Sequence, residues 1–296
     1  MKSAKRLKKS ENLWGFAFIL PQLTGLILFT IGPVFATFYL CFAEWDFINP
    51  PKFVGGLNFS VIFGDPVFYK SIINTFIFAG GTIPLTIIIS LFLAVLTNRK
   101  IACLSIYRTA YFLPMVTSSV SIALVWYWLY APDFGLINLL LAKIGLPELP
   151  WLADTWWARI AIIIMSVWLQ MGYNYIIFLS GLKNIPRIYY EAAEIDGANK
   201  FQIFFKITLP MLSPVTFFVV ITLLISTFNM FNESYILTRG GPAYATYTLV
   251  MYVFFRAFQL FRMGEAAVAS LVLFALVGVI TMIQFRLSRR MVNYDV

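Results

Sequence analysis

Long apolar stretches alternate with short charged ones along this chain. Uninterrupted apolar runs fall at about Trp14–Tyr39, Ile72–Thr97, Ile106–Tyr130, Ala158–Leu182, Ser213–Phe231 and Glu265–Phe285. A helix rises 1.5 Å per residue, so about 20 residues cross ~30 Å of hydrocarbon, and each run is near or above that length. The pattern predicts an all-α integral membrane fold of six transmembrane helices. The chain then divides into a basic N-terminal segment, residues 1–13, a transmembrane domain, 14–287, and a tail, 288–296. The first run follows Lys2, Lys5, Arg6, Lys8 and Lys9. It is longer than a secretory signal core and ends without a small-residue cleavage site, which makes it a retained anchor.

Between the runs lie two loops punctuated by proline and glycine, Ala43–Lys70 and Pro132–Trp157. Trp126, Trp128, Tyr130, Trp151, Trp156 and Trp157 crowd the second, where an interfacial belt of lipid-anchoring aromatics is expected. Gly240-Gly241-Pro242 ends an element after the fifth run. The Tyr247–Phe261 segment beyond it is too short and too interrupted by Arg256 for a further span, and reads as an interfacial or re-entrant helix.

Composition agrees with a membrane protein: 60% of residues are hydrophobic, 12% are charged, and the mean hydropathy is +0.83. Soluble domains lie far from these values. With the N-terminus placed inside, Lys and Arg in the inner segments outnumber those in the outer segments by roughly two to one, so both termini and residues 183–210 are expected to be cytoplasmic. That bias also accounts for most of the net charge of +9, leaving no reason to invoke nucleic acid. There is no histidine, and Cys41 and Cys103 are predicted a membrane thickness apart. Neither a disulfide nor a metal site nor a Cys/His catalytic pair is expected. No phosphate-binding G-x-x-x-x-G-K and no G-x-S-x-G elbow occurs, so the chain itself is expected to bind no nucleotide and catalyse nothing. Asn58-Phe59-Ser60 and Asn232-Glu233-Ser234 match a glycosylation triplet too common by chance to carry a function.

The charged stretch EAAEIDGANKFQIFFKITLP, Glu191 to Pro210, interrupts two strongly apolar regions. Asn184 is a candidate cap for a helix with Pro186 in its first turn, and Gly197 is its stop. A second short helix starts near Asn199 with Phe201, Phe204, Phe205 and Thr208 on one side, and Pro210 is expected to end it. Helices of about ten residues do not persist alone in water, so the pair must pack on something. Physically that is either the chain's own membrane domain or a separate cytoplasmic protein.

Here the sequence resembles a known family. Glu191-Ala192-Ala193, Gly197, Ile207, Leu209 and Pro210 fall in register with the EAA loop of membrane subunits of binding-protein-dependent ATP-binding-cassette importers, of the type I permease fold. Leu113–Trp126, Phe134–Asn138 and Thr238–Pro242 are similar to the oligosaccharide importers, although the chain lacks the large external insertion of the maltose-type subunit. The resemblance implies a coupling helix pair gripping a cytoplasmic ATPase, with Glu191 making a polar contact, Ala192 and Ala193 permitting close approach, Gly197 setting the bend, and Asp196 and Phe204 completing the contact. It implies as partners a second homologous permease, two copies of the ATPase, which would bind ATP and Mg, and an extracytoplasmic solute-binding protein. It implies no cofactor in this chain.

Polar residues inside a membrane are costly, so their spacing is informative. Thr222, Ser226, Asn229 and Glu233 share one predicted helix face, and Ser166, Gln170 and Tyr173 share another. Ser166, Thr222 and Ser226 are explained by ordinary interhelical hydrogen bonding. Trp168, Tyr173, Asn229, Asn232 and Glu233 remain as candidates for contacting an uncharged, hydroxyl-rich substrate, and by resemblance the neighbourhood of Tyr173 and Asn229 is the sugar-lining region. The alternative is a secondary transporter or channel working alone, against which stand the lack of a discernible inverted repeat and of a buried acidic cluster.

Overall fold

The computed structural model describes residues 2–98 and 104–291, so Arg99, Lys100 and Cys103 lie outside it. The chain forms two compact units. One comprises residues up to Gly64 together with Phe255–Leu271. Its first helix begins at Lys2, within the predicted basic segment, and with the turns that follow forms the span Trp14–Leu40, none of whose most apolar window is buried. A two-residue antiparallel ladder, Ala43–Glu44 with Lys52–Phe53, and a helix, Leu57–Phe63, fold the loop that follows. Asn58 pins that fold by donating its side-chain amide to the carbonyls of Cys41 and Ala43, at 3.1 and 2.9 Å. It is thereby buried and occupied, which disposes of the first glycosylation triplet. Glu265 accepts from Arg256 at 2.6 Å and from Arg262 at 3.3 Å.

The other unit comprises Asp65–Phe254 and the residues from Val272 onward. Its backbone is two long helices, Pro66–Thr97 and Thr155–Asn184. Asp65 and Asp154 cap them, accepting from the N–H groups of Val67 at 2.8 Å and of Trp156 and Trp157 at 2.9 and 3.1 Å, as aspartates at helix N-caps do. Small residues let helices approach: an added Cβ at Gly172 would sit 1.7 Å from the Tyr111 carbonyl oxygen, and at Gly81 2.6 Å from Ile163.

Four helices are long and apolar enough to cross a membrane, Trp14–Leu40, Pro66–Thr97, Thr155–Asn184 and Met263–Ser288. The other two predicted spans are bent. Ser105–Val116 and Ser119–Leu129 meet at 101°, and Lys200–Met211 meets Ser213–Phe228 at 64°. The fifth helix stops at Phe228 instead of Phe231, and a separate short helix, Asn232–Thr238, follows. The apolar segment beyond Gly240-Gly241-Pro242 is a short helix, Leu249–Gln259.

Two prolines are admitted by one device. Gly32 and Leu209 each donate to the carbonyl five residues back, of Ile27 and Phe204, and each immediately precedes a proline. These π turns widen the helix where the proline ring would otherwise strike a carbonyl, so Pro210 does not end its helix as the sequence suggests.

The expected aromatic belt is mostly a core. Trp126, Tyr130, Trp151 and Trp157 form a chain of rings with successive centroids 5.3, 5.2 and 5.3 Å apart. Tyr130 is 1% and Trp151 8% exposed, and only Trp128 and Trp156 of the six face outward. The reason is a helix the sequence reading missed, Leu136–Lys143, whose buried Asn138 accepts from the Trp151 indole N–H at 2.9 Å.

Candidate functional site

Two regions of the larger unit gather the predicted site residues. The first is the bracket from Arg187 to Met211. Its first helix is Arg187–Ile195, capped by the backbone of Pro186; Asn184 belongs to the preceding long helix. It ends in a Schellman closure: Ala198 donates to the Ala193 carbonyl at 2.9 Å, Gly197 to that of Glu194 at 3.1 Å, and Gly197 takes the required left-handed φ of +75°. The second helix opens with a reciprocal capping box, in which Gln202 N–H donates to Asn199 Oδ1 at 2.9 Å and Asn199 N–H to Gln202 Oε1 at 2.8 Å. Two helix ends and a glycine thus fix a sharp bend without help from any neighbour.

One side of the bracket is anchored in its own unit. Ile185 and Leu212 join the cluster of Ala94, Tyr175, Phe178, Leu179 and Leu182, with Tyr190 and Met211 packed against it. Tyr190 and Thr208 share a hydroxyl contact at 3.3 Å that ties the two helices together. The other side is bare. Glu191, Ala192, Asp196 and Gly197 are exposed, and so are Ile195 at 86%, Phe201 at 78% and Phe205 at 60%. Ala193 does not belong with them: it is buried against its own chain and offers no surface for the close approach expected of it. Phe204 is half-buried, edge-on to Phe205, beside a groove of about 710 Å³ lined by Tyr190, Glu194, Lys200, Phe201 and Thr208 among others. The large exposed apolar side chains, Ile195 and Phe201, were absent from the candidate residues, although the helical spacing grouped Phe201 with Phe204 and Phe205.

The second region is a chamber of about 310 Å³ between the Thr155–Asn184 helix, the Ser213–Phe228 helix and the turn beyond it. Gln170, Tyr173, Asn174, Thr222, Ser226 and Glu233 supply its polar lining, and Met115, Leu169, Leu223 and Met230 the apolar portion. Of the five candidates, Tyr173 and Glu233 line it. Asn229 ends the helix and turns its amide back to the Ile225 carbonyl at 2.8 Å, so the stripe read through it is broken by its own cap. Asn232 donates to the Ser119 hydroxyl at 2.9 Å, and Trp168 lies edge-on to Trp126 at 5.7 Å within the aromatic core. Thr222 and Ser226, set aside as structural, do line the chamber. Asn174 was missed; the four-residue spacing from Gln170 was the available signal.

A third feature orders the segment after the chamber. Arg159 donates to the Ala245 carbonyl at 3.0 Å and to Asn74 Oδ1 at 2.9 Å, while Asn74 donates to the carbonyls of Tyr244 and Tyr247 at 2.7 and 3.1 Å. Thr248 donates to the Met230 carbonyl at 2.9 Å. Residues 238–248 are therefore strapped to both long helices.

The model of the family described as the binding-protein-dependent transport system inner membrane component matches residues 56–293. The chain is 40% identical over 300 residues to the probable ABC transporter permease protein YesP of Bacillus subtilis, covering 100% of this chain and 96% of that one. It is 35% identical over 293 residues to the lactose transport system permease protein LacF of Rhizobium radiobacter, covering 97% and 98%. It is 35% identical over 284 residues to the sn-glycerol-3-phosphate transport system permease protein UgpA of Pectobacterium atrosepticum, covering 95% of each. A crystal structure of a bacterial ABC transporter involved in the import of the acidic polysaccharide alginate contains a chain that superposes with a TM-score of 0.84 at 23% identity, covering 99% of this chain and 100% of that one. That likeness establishes the fold.

Proposed function

Because the chain belongs to the family of binding-protein-dependent transport system inner membrane components, a multi-pass permease family, we propose that it forms half of the pathway of an ATP-driven sugar importer. Two of the relatives named above are permeases of lactose and sn-glycerol-3-phosphate transport systems, which supports a small hydroxyl-rich solute as cargo. The chain works with a second, homologous permease, with two copies of a cytoplasmic ATPase that bind ATP and Mg, and with a solute-binding protein on the far side. It hydrolyses nothing itself. Both termini and the Arg187–Met211 bracket face the cytoplasm.

The observation that carries this reading is the bare outer side of the bracket. Ile195, Phe201 and Phe205 leave large apolar surfaces uncovered beside the charges of Glu191 and Asp196, on an element whose other side is packed and whose bend is fixed. Exposed apolar groups next to charge are what a protein partner covers, and a rigid lever is what converts the partner's closure into a rigid-body tilt of the helices above it. Gly197→Val tests the lever. No atom would meet the new Cβ, but a β-branched residue at φ +75° is strained by roughly 1–2 kcal/mol, which shifts the bend. In proteoliposomes holding the assembled transporter, the variant is expected to insert normally and to hydrolyse ATP without accumulating sugar. Unimpaired uptake would remove Gly197 from the coupling role.

A further inference from the structure

The loop that leaves the first span is more apolar than a loop meeting only water needs to be. Between Phe42 and Phe53 the charged residues are Glu44, Asp46 and Lys52, and the bulky ones are Phe42, Trp45, Phe47, Ile48 and Phe53. Phe42 and Phe47 are exposed, Ile48 is 87% and Phe53 74% exposed. The tip is held in this form by its own bonds. Asp46 Oδ1 accepts from the backbone N–H groups of Ile48 and Asn49 at 3.0 and 2.8 Å, and Oδ2 accepts from the Asn49 side-chain amide at 2.7 Å. Within that turn Phe47 takes a left-handed φ of +68°, and its ring lies 4.9 Å from Trp45 and stacks on Phe258 at 6.2 Å. A turn fixed with apolar side chains outward presents a surface that something covers.

Two spans fix the level of this loop. The span Trp14–Leu40 ends just before Phe42, and Met263, the first residue of the span Met263–Ser288, donates its N–H to the Trp45 carbonyl at 3.0 Å. Trp45 therefore sits at the mouth of both, where a headgroup layer of roughly 5–8 Å begins. None of the most apolar window of Trp14–Leu40 is buried, and exposed Phe38 and Tyr39 lead directly to exposed Phe42, so the loop continues a surface that lipid covers. Bulky aromatic side chains suit the boundary between headgroup and acyl chain. Lys52, exposed beside Phe53, has the stem length to lie along that boundary and bring its ammonium to phosphate. We infer that Phe47, Ile48 and Phe53 form a lipid anchor, seated among phospholipid headgroups and the first acyl carbons, that holds the adjoining ends of the two spans at a set depth. In the orientation proposed above this is the outer leaflet. The inference rests on the membrane fold and not on the cargo.

The test reads depth in the bilayer. Ile48→Cys and, separately, Phe53→Cys are made in a full-length chain whose Cys41 and Cys103 are changed to serine, labelled with the environment-sensitive dye NBD, and reconstituted with the partner subunits in vesicles of phosphatidylcholine and phosphatidylglycerol. Both positions are exposed, so neither substitution removes a packed side chain. The dye is expected to lose emission when part of the lipid carries a nitroxide at the top of its acyl chain, and such a loss at either position supports the anchor. Emission that ignores the nitroxide at both positions and is quenched by aqueous iodide puts the loop in water and overturns the inference. Emission that ignores the nitroxide at both positions and is shielded from iodide, whether by the partner subunits or only after a solute-binding protein is added, means that protein covers the loop and overturns it too. The importer reading survives either of those results.

Discussion

At Gly172 the Thr155–Asn184 helix passes so close to the backbone of Tyr111 that no side chain fits, since the carbonyl oxygen lies 1.7 Å from where a Cβ would go. Backbone cannot yield as a flexible side chain does. Gly172→Ala should therefore push apart a pair of helices that flank the chamber and cost about 1–3 kcal/mol, the usual range for overpacking. A melting temperature several degrees below that of the wild type, read in detergent by a thermal-shift assay, is the expected result. Gly197 is the converse case: the space is open and the backbone angle does the selecting. Much of the chamber was legible at this scale because polar residues in spans are few. Tyr173, Thr222, Ser226 and Glu233 all stood out by helical spacing, and all line the chamber. Asn229 did not follow, because its side chain caps the helix on which the spacing depended. Trp168 and Asn232 bind neighbours that only the fold brings near.

Elements depart from the sequence pattern where a local rule meets a tertiary one. Hydropathy marks how long an apolar run is but says nothing of a 101° bend at Thr117-Ser118, where the Ser118 backbone turns extended and its carbonyl accepts from Ile122 to open the next helix. Proline rules predicted an end at Pro210, and a π turn overrode them. The aromatic residues near Trp151 have the composition of an interfacial belt, and became a core because the Leu136–Lys143 helix folds over them. The bracket was the most legible element, since its capping box and glycine stop act within a few residues. The strap of residues 238–248 was the least, because its partners Asn74 and Arg159 are distant in sequence. Arg159→Ala would strip the Ala245 carbonyl and Asn74 of their charged donor, a loss of about 1.5–3 kcal/mol for hydrogen bonds of this kind. The strap should then open more often, and Tyr244, exposed at 51%, should be cut faster by chymotrypsin in limited proteolysis of the purified chain. An unchanged cleavage rate would mean that the remaining bonds, those of Asn74, Lys70 and Thr248 among them, hold it.

For the molecule as a whole, the two observations that matter are a polar chamber among apolar helices and a bracket whose outer side is bare. In the proposed function they are parts of one machine: the bracket takes up a partner's movement and the chamber passes the solute. Membership of a membrane transport family accounts for the exposed apolar surface of Trp14–Leu40, since lipid has surface to cover. The proposed orientation rests on the Lys and Arg bias, and it is tested together with the partner. The most direct measurement is a cysteine cross-link from Phe201, in a chain whose Cys41 and Cys103 have been changed to serine. Phe201→Cys should react from the cytoplasmic side of inverted vesicles and give one adduct, of this chain with the ATPase subunit. An accessible thiol that yields no such adduct, or one that reacts only from the outside of intact cells, would contradict the account.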